Sequence, residues 1–232
     1  MKTAIMQPYI FPYIGYFQLI QSVERFVICD NYQYTRKGWI NRNQFLQNGK
    51  AVFFTIPLKD DAQHKDIRER QIASDFQNSR FLNQIKAAYQ KSPFFPHTFP
   101  LLKRILQFPD DNLFNFLANS IAETCNHLRI GTKLAKTSDL PVDRSLKKQE
   151  RVLAMCSALD TTVYINSVGG RELYSKDDFK QQGITLQFLE SKPFIYRQFE
   201  SPFVPQLSII DVLMFNSPEV IQKSLTSNYE LT

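Results

Sequence analysis

The sequence predicts an α/β protein with a Rossmann-like, mainly parallel sheet and a helical insertion. Three observations carry that prediction. The chain opens with an apolar run at 3–6, a proline-stiffened turn, a helical segment at 14–21 and a second apolar run at 25–29, which together form a β-α-β unit. Further along, an amphipathic stretch at 147–159 leads into a β-branched and aromatic run at 161–166, the same order again. Length is the third: 232 residues suffice for one sizeable core, or one core with a subdomain, and the chain is read as one domain over 1–232.

The elements follow in order. Asn48-Gly49 between 43–47 and 50–57 is a type I′ hairpin signal, and Val52, Phe53, Phe54 and Ile56 make its second arm strand-like. Residues 59–75 are polar and aperiodic and read as a mobile loop. Leu82, Ile85 and Tyr89 give helical spacing over 79–90, after which Pro93, Pro96 and Pro100 predict a break before a short helix at 101–106. Asp110 or Asp111 can cap a long helix through Phe114, Leu117, Ile121, Cys125 and Leu128. This block, about 79–128, reads as a helical insertion beside the sheet. A strand at 132–137, the helix at 147–159, and strands at 161–166 and 185–189 (the latter read as the last) complete the sheet. A short helix near 207–213 and a closing helix from Ser217 end the chain.

Composition narrows the function. Hydrophobic residues at 43% and charged residues at 22% are ordinary for a soluble globular protein. No run approaches the ~18 apolar residues of a membrane span, and no signal peptide is evident, so a cytoplasmic protein without membrane insertion is expected. Cys29, Cys125 and Cys156 are odd in number and widely spaced, and read as reduced, buried thiols. His64, His97 and His127 are scattered, so no metal site is expected. The net charge of +6 invites a nucleic-acid reading, but basic residues are interleaved with acidic ones. A small anionic or nucleotide-linked ligand fits better.

Residues 1–45 hold more amide, guanidinium and carboxylate chemistry than packing requires. In a parallel sheet, ligands collect at the carboxyl ends of the strands, where Gln7 and Asp30 sit. Between Gln7 and Tyr16, Pro8 and Pro12 stiffen the turn and Gly15 permits close approach to the helix start; the alternative is a rigid aromatic connection without a ligand. Asp30 reads as an acid or base, or else as a turn cap. Gln33, Trp39, Asn41, Arg42 and Asn43 follow on one loop: Trp39 suits stacking on a base or sugar, and Arg42 offers a fork to phosphate or carboxylate. Gly169-Gly170, before Arg171, reads as an anion-binding loop or a plain turn. Arg144, Lys147 and Lys148 read as a solvated helix start, with phosphate contacts as the alternative. No motif of nucleophilic, P-loop or dinucleotide chemistry is present, and no cofactor is assigned.

These residues resemble the bacterial WbqC-like family. The resemblance rests on Gln7-Pro8 with Pro12, Gly15-Tyr16-Phe17, Asp30 with Gln33-Tyr34, Trp39-Ile40-Asn41-Arg42-Asn43 and Ile56-Pro57-Leu58. It continues in Glu150-Arg151, Tyr164, Gly169-Gly170, Tyr174 and Leu207-Ser208-Ile209-Ile210-Asp211, and Tyr13 stands where the family has Trp. The resemblance implies a link to O-antigen (lipopolysaccharide) loci. The implied activity is a transferase moving an acyl or aminoacyl group to a nucleotide-linked amino sugar, with Asp30 as base. The implied binding wall comprises Gln7, Tyr16, Gln33, Trp39, Asn41, Arg42 and Asn43, with Gly169 and Gly170 opposite. The turn through Gly15 also looks similar to that of HIGH-motif nucleotidylyltransferases, with Tyr16 in place of the second His. An enzyme using a nucleoside triphosphate and a non-catalytic partner of a sugar-biosynthetic complex remain the alternatives.

Overall fold

A computed structural model describes residues 1–60, 64–200 and 202–232. Its main sheet joins β1 (Lys2–Met6), β2 (Arg25–Ile28), β5 (Lys133–Lys136), β6 (Val163–Ser167), β7 (Thr185–Ser191) and β8 (Tyr229–Leu231). They lie in the order β5-β2-β1-β6-β7-β8, all parallel except β8, which runs antiparallel to β7. The chain builds outward from β1 through β2 to β5, then returns to the other side of β1 as β6 and β7. The direction of winding therefore reverses between β1 and β6. This is the doubly wound arrangement, and the expected site of a ligand crevice.

Both faces are covered, which explains why the central strands are apolar on successive residues. Ala4, Phe26, Ile28, Ile165 and Leu189 pack on one side with α1 (Ile14–Gln21), α2 (Asn78–Tyr89), α3 (Phe95–Leu106), α4 (Leu113–His127), α7 (Ile209–Phe215) and α8 (Pro218–Ser227). Ile5, Val27, Tyr164, Leu186 and Phe188 point to the other, against α5 (Lys148–Ala158) and α6 (Lys176–Gln181). The separate hairpin β3 (Arg42–Gln47) and β4 (Lys50–Thr55) turns at Asn48 (φ 51°) and Gly49 (φ 72°), the double positive φ of a type I′ turn.

Four expectations need correction. β7 is not the last strand: Tyr229–Leu231 adds an antiparallel edge. The prolines at 96 and 100 lie within α3: Pro96 falls in its first turn, where no N–H is needed, and Pro100 sits inside the helix without ending it. The cap of α4 is Asn112, whose side chain accepts from the Asn115 N–H, while Asp110 accepts from the Asn112 N–H. Much of the polar stretch before α2 is ordered. Within residues 64–75, a 3₁₀ turn at Ile67–Glu69 carries a capping box from Asp66, Ile67 is fully buried, and bridges link Leu58 to Ile72 and Gln71 to Asn112. Residues 61–63 of that stretch lie outside the described residues.

Candidate functional site at the strand ends

At the carboxyl ends of β1 and β6 lies a cleft of about 670 Å³, within the usual size range of small-molecule sites. Gln7 closes β1 on its floor; Asn166 and Ser167 end β6 beside it. One wall is the first turn of α5, with Lys148 and Gln149. The other is the 3₁₀ segment Val168–Leu173, with Gly169, Gly170 and Glu172. Tyr9, Tyr32 and Tyr174 supply the aromatic surface.

Local chemistry shapes each wall. Lys148 adopts φ 50° although it is not glycine, a strained value that starts α5 at the cleft. Its ammonium and the free N–H groups of the first helical turn present positive charge there. Gln149 is spent on structure: its amide donates to Asp178 at 2.6 Å and its carbonyl accepts the Ser175 N–H at 2.6 Å, pinning α6 behind the wall. Asn166 Oδ1 accepts the Ser167 N–H at 2.7 Å. A Cβ at Gly170 would stand 3.0 Å from Asn166 Nδ2, so glycine lets the wall close on the strand end. Arg151, one turn into α5, bonds Asn31 Oδ1 at 2.6 Å and lies 4.2 Å from the ring centre of Tyr32, which sets that ring's position. Among the described residues, Lys148 Nζ, Ser167 Oγ and the Glu172 carboxylate have no hydrogen-bond partner. Burial raises the phenols of Tyr9, Tyr32 and Tyr174, so each keeps its O–H proton at neutral pH. Burial likewise pushes the Cys29 thiol up, far from a thiolate at neutral pH.

Of the expected wall, Gln7, Gly169 and Gly170 line this cleft; the others lie elsewhere. Tyr16 is buried and donates its hydroxyl to the Gln7 carbonyl at 3.0 Å, holding the strand end from behind.

Asp30 is buried at the end of β2. Its Oδ1 lies 2.7 Å from the Thr137 hydroxyl and accepts the Ser138 N–H at 2.9 Å; Oδ2 is 3.9 Å from Arg68. Burial raises its pKa, but the bonds from Ser138 and Thr137 outweigh that and hold the carboxyl below its ordinary value. Such a group is a poor base and a good tether between the ends of β2 and β5.

Gln33 forms an isolated bridge with Asp66. Asn41 accepts from the Tyr34 hydroxyl at 2.8 Å and donates to the Ile56 carbonyl at 2.8 Å. Arg42 donates from Nε to the Gly38 carbonyl at 2.9 Å and from a terminal nitrogen to that of Lys37, which ties it to the loop before β3. Asn43 donates to the carbonyls of Ile10 and Phe11, each at 2.9 Å. Trp39 and Asn43 border a separate hollow that shares only Tyr9 with the cleft. Lys148, read as a solvated helix start, reaches the cleft while remaining exposed; Arg144 pairs with Asp66 instead. The signal that finds Lys148 is positional: it begins the helix that leads into the strand beside β1.

Three buried, free cysteines occupy the core, and among the described residues no group of His, Cys, Asp or Glu is placed to hold a metal ion. No helix among them is long and apolar enough to cross a membrane.

Sheet order and strand-end cleft define a doubly wound α/β protein with a crevice at its switch point. More particularly, the model of the WbqC-like protein family matches residues 7–223, and the chain belongs to that family. It is similar to the uncharacterized protein Rv1507c of Mycobacterium tuberculosis (strain ATCC 25618 / H37Rv), 28% identical over 218 residues that cover 93% of each chain. No solved structure matches it.

Proposed function

We propose that the cleft binds a small nucleotide-linked or otherwise anionic substrate, and that the protein is a transferase of bacterial surface-polysaccharide biosynthesis. The observation that supports the binding half is the switch-point cleft, where Lys148 and the first turn of α5 face the ends of β1 and β6. The transferase half draws on the family resemblance. In that reading, the amine of a nucleotide-linked amino sugar attacks an activated acyl or aminoacyl carbonyl. The C–N bond forms, the bond to the acyl carrier breaks, and the amine proton passes to a carboxylate. Glu172 suits that last role better than Asp30, because it lines the cleft without a partner while Asp30 is tethered.

The test is thermal-shift stabilisation by nucleotides, nucleotide-sugars, acyl-CoA compounds and amino acids. One class should raise the melting temperature, and Lys148→Ala should weaken its binding about tenfold while leaving the unliganded protein unchanged within ~0.5 kcal/mol. An unchanged melting temperature with every class would remove the binding reading and favour a partner-protein role. Once a substrate is found, Glu172→Gln should lower kcat roughly 10²-fold or more with little effect on KM. An equal loss from Asp30→Asn alone would return the base to Asp30.

A further inference from the structure

The hollow beside the cleft encloses about 270 Å³, below the ~300–1,000 Å³ of sites for drug-sized ligands and suited to a single ring. Its lining carries no charged side chain: Tyr9, Tyr13 and Trp39 supply aromatic surface, while Gln44 and Gln206 supply amides. Arg42, the nearby cation, is not part of that lining; it donates to two backbone carbonyls and lies over the Phe53 and Trp39 rings, 5.3 and 6.0 Å from their centres.

Several features hold this surface open. Trp39 is stacked against Phe53 (ring centres 6.1 Å apart, planes at 24°) yet 44% exposed. Tyr13 is 41% exposed, and a Cβ at Gly15 would overlap its ring, so glycine is what allows the ring to lie over the start of α1. Gln206 adopts φ 58°, a strained value for a non-glycine residue. It is over-determined by Leu207, which is buried, and by Ser208, whose N–H donates to the Gln44 carbonyl at 2.9 Å. Among the described residues, Trp39 Nε1, the hydroxyls of Tyr9 and Tyr13, and the side-chain amides of Gln44 and Gln206 have no hydrogen-bond partner. Rigid aromatic faces beside unpaired, uncharged donors and acceptors match a ring with apolar C–H faces and a rim of hydroxyls.

We propose that this hollow is a subsite for a neutral sugar ring. The assignment rests on the reading of the cleft given above: Tyr9 is the wall common to both, so the reacting amino sugar and its phosphates would lie in the cleft with Glu172 and Lys148, and the hollow would take an uncharged sugar ring adjoining them past Tyr9.

Saturation-transfer NMR with the full chain and a panel of methyl glycosides of glucose, galactose and N-acetylglucosamine reads the subsite directly. Ring protons of at least one glycoside should be saturated. Trp39→Ala should weaken that binding about tenfold, the scale of one aromatic contact. Gln206→Ala, at an exposed position, should weaken it as well, and Trp39→Phe should restore part of the loss. No saturation of any glycoside, or equal saturation by wild type and both alanine variants, overturns the proposal. Saturation of the base protons of uridine or adenosine added to the same panel, lost in Trp39→Ala and without saturation of any glycoside, overturns the sugar assignment. The nucleotide melting shift, measured in parallel, separates the two readings. A shift without glycoside binding overturns the subsite alone; glycoside binding without a shift overturns the cleft reading alone.

Discussion

Two regions of this protein are dense in polar side chains and use them in opposite ways. In the segment from Asp30 to Asn43, much of that polarity is consumed internally: Asp30 by Thr137 and Ser138, Asn41 by Tyr34 and Ile56, Arg42 by Gly38 and Lys37, Asn43 by Ile10 and Phe11. In the cleft between β1 and β6, Lys148, Ser167 and Glu172 have no such partner among the described residues. A buried polar group must be paired, and a group already paired has little left for a ligand. Polar density in a sequence therefore marks a demand for partners. Whether the partner is the protein or a ligand is a separate question.

The comparison is broken most forcefully at a further consumed group, Asp211. It is fully buried at the start of α7, with Oδ1 accepting from Tyr89 at 2.9 Å and Oδ2 from Tyr196 and Gln198, each at 2.6 Å. Asp211→Ala removes the shared acceptor of Tyr89, Tyr196 and Gln198 and should cost about 3 kcal/mol or more in chemical denaturation. A loss below ~1 kcal/mol would mean that consumed polar groups do not hold this fold together. Asn43→Ala comes next. It unpins the carbonyls of Ile10 and Phe11, and Phe11 sits at φ 43°, which the surrounding bonds must maintain. A loss of roughly 2 kcal/mol is expected, with Lys148→Ala near zero as the contrasting value.

The smallest effect is the most discriminating. Hydrogen bonds from Ser138 and Thr137 outweigh burial and hold the Asp30 pKa below its unfolded value. Asp30 therefore contributes stability that is present above the ordinary carboxyl pKa and lost as pH falls through the folded value. At Asp211 burial prevails over the bonds from Tyr196, Gln198 and Tyr89 and raises the pKa, so its contribution is lost as pH rises through the folded value. Asp30→Asn should flatten the acid limb of a stability–pH curve. An unchanged acid limb would show that Asp30 is not a tethered, ionised carboxylate.

Much of the fold was legible in the sequence because its signals are local. Asn48-Gly49 specifies a type I′ turn through the φ values of two residues, and the β-α-β opening follows from apolar runs a few residues long. The candidate cleft was legible only at its strand ends. Gln7 follows from the end of β1, and Gly169 with Gly170 from the end of β6. Lys148 was visible as a helix start, but nothing in its neighbours says that the helix opens onto β1. The role of Asp30 was out of reach for the same reason: its partners Thr137 and Ser138 are more than a hundred residues away.

By itself, the sequence determined most of the element types, the parallel part of the sheet with its crossovers, and the family, since these depend on periodicity, turn chemistry and motif. Tertiary structure alone decided which polar side chains are spent and which remain available. It also separated the Trp39 hollow from the strand-end cleft, with Tyr9 between them. The physical reason is that a hydrogen bond is satisfied by whatever the fold brings within about 3 Å, and here those partners come from distant parts of the chain.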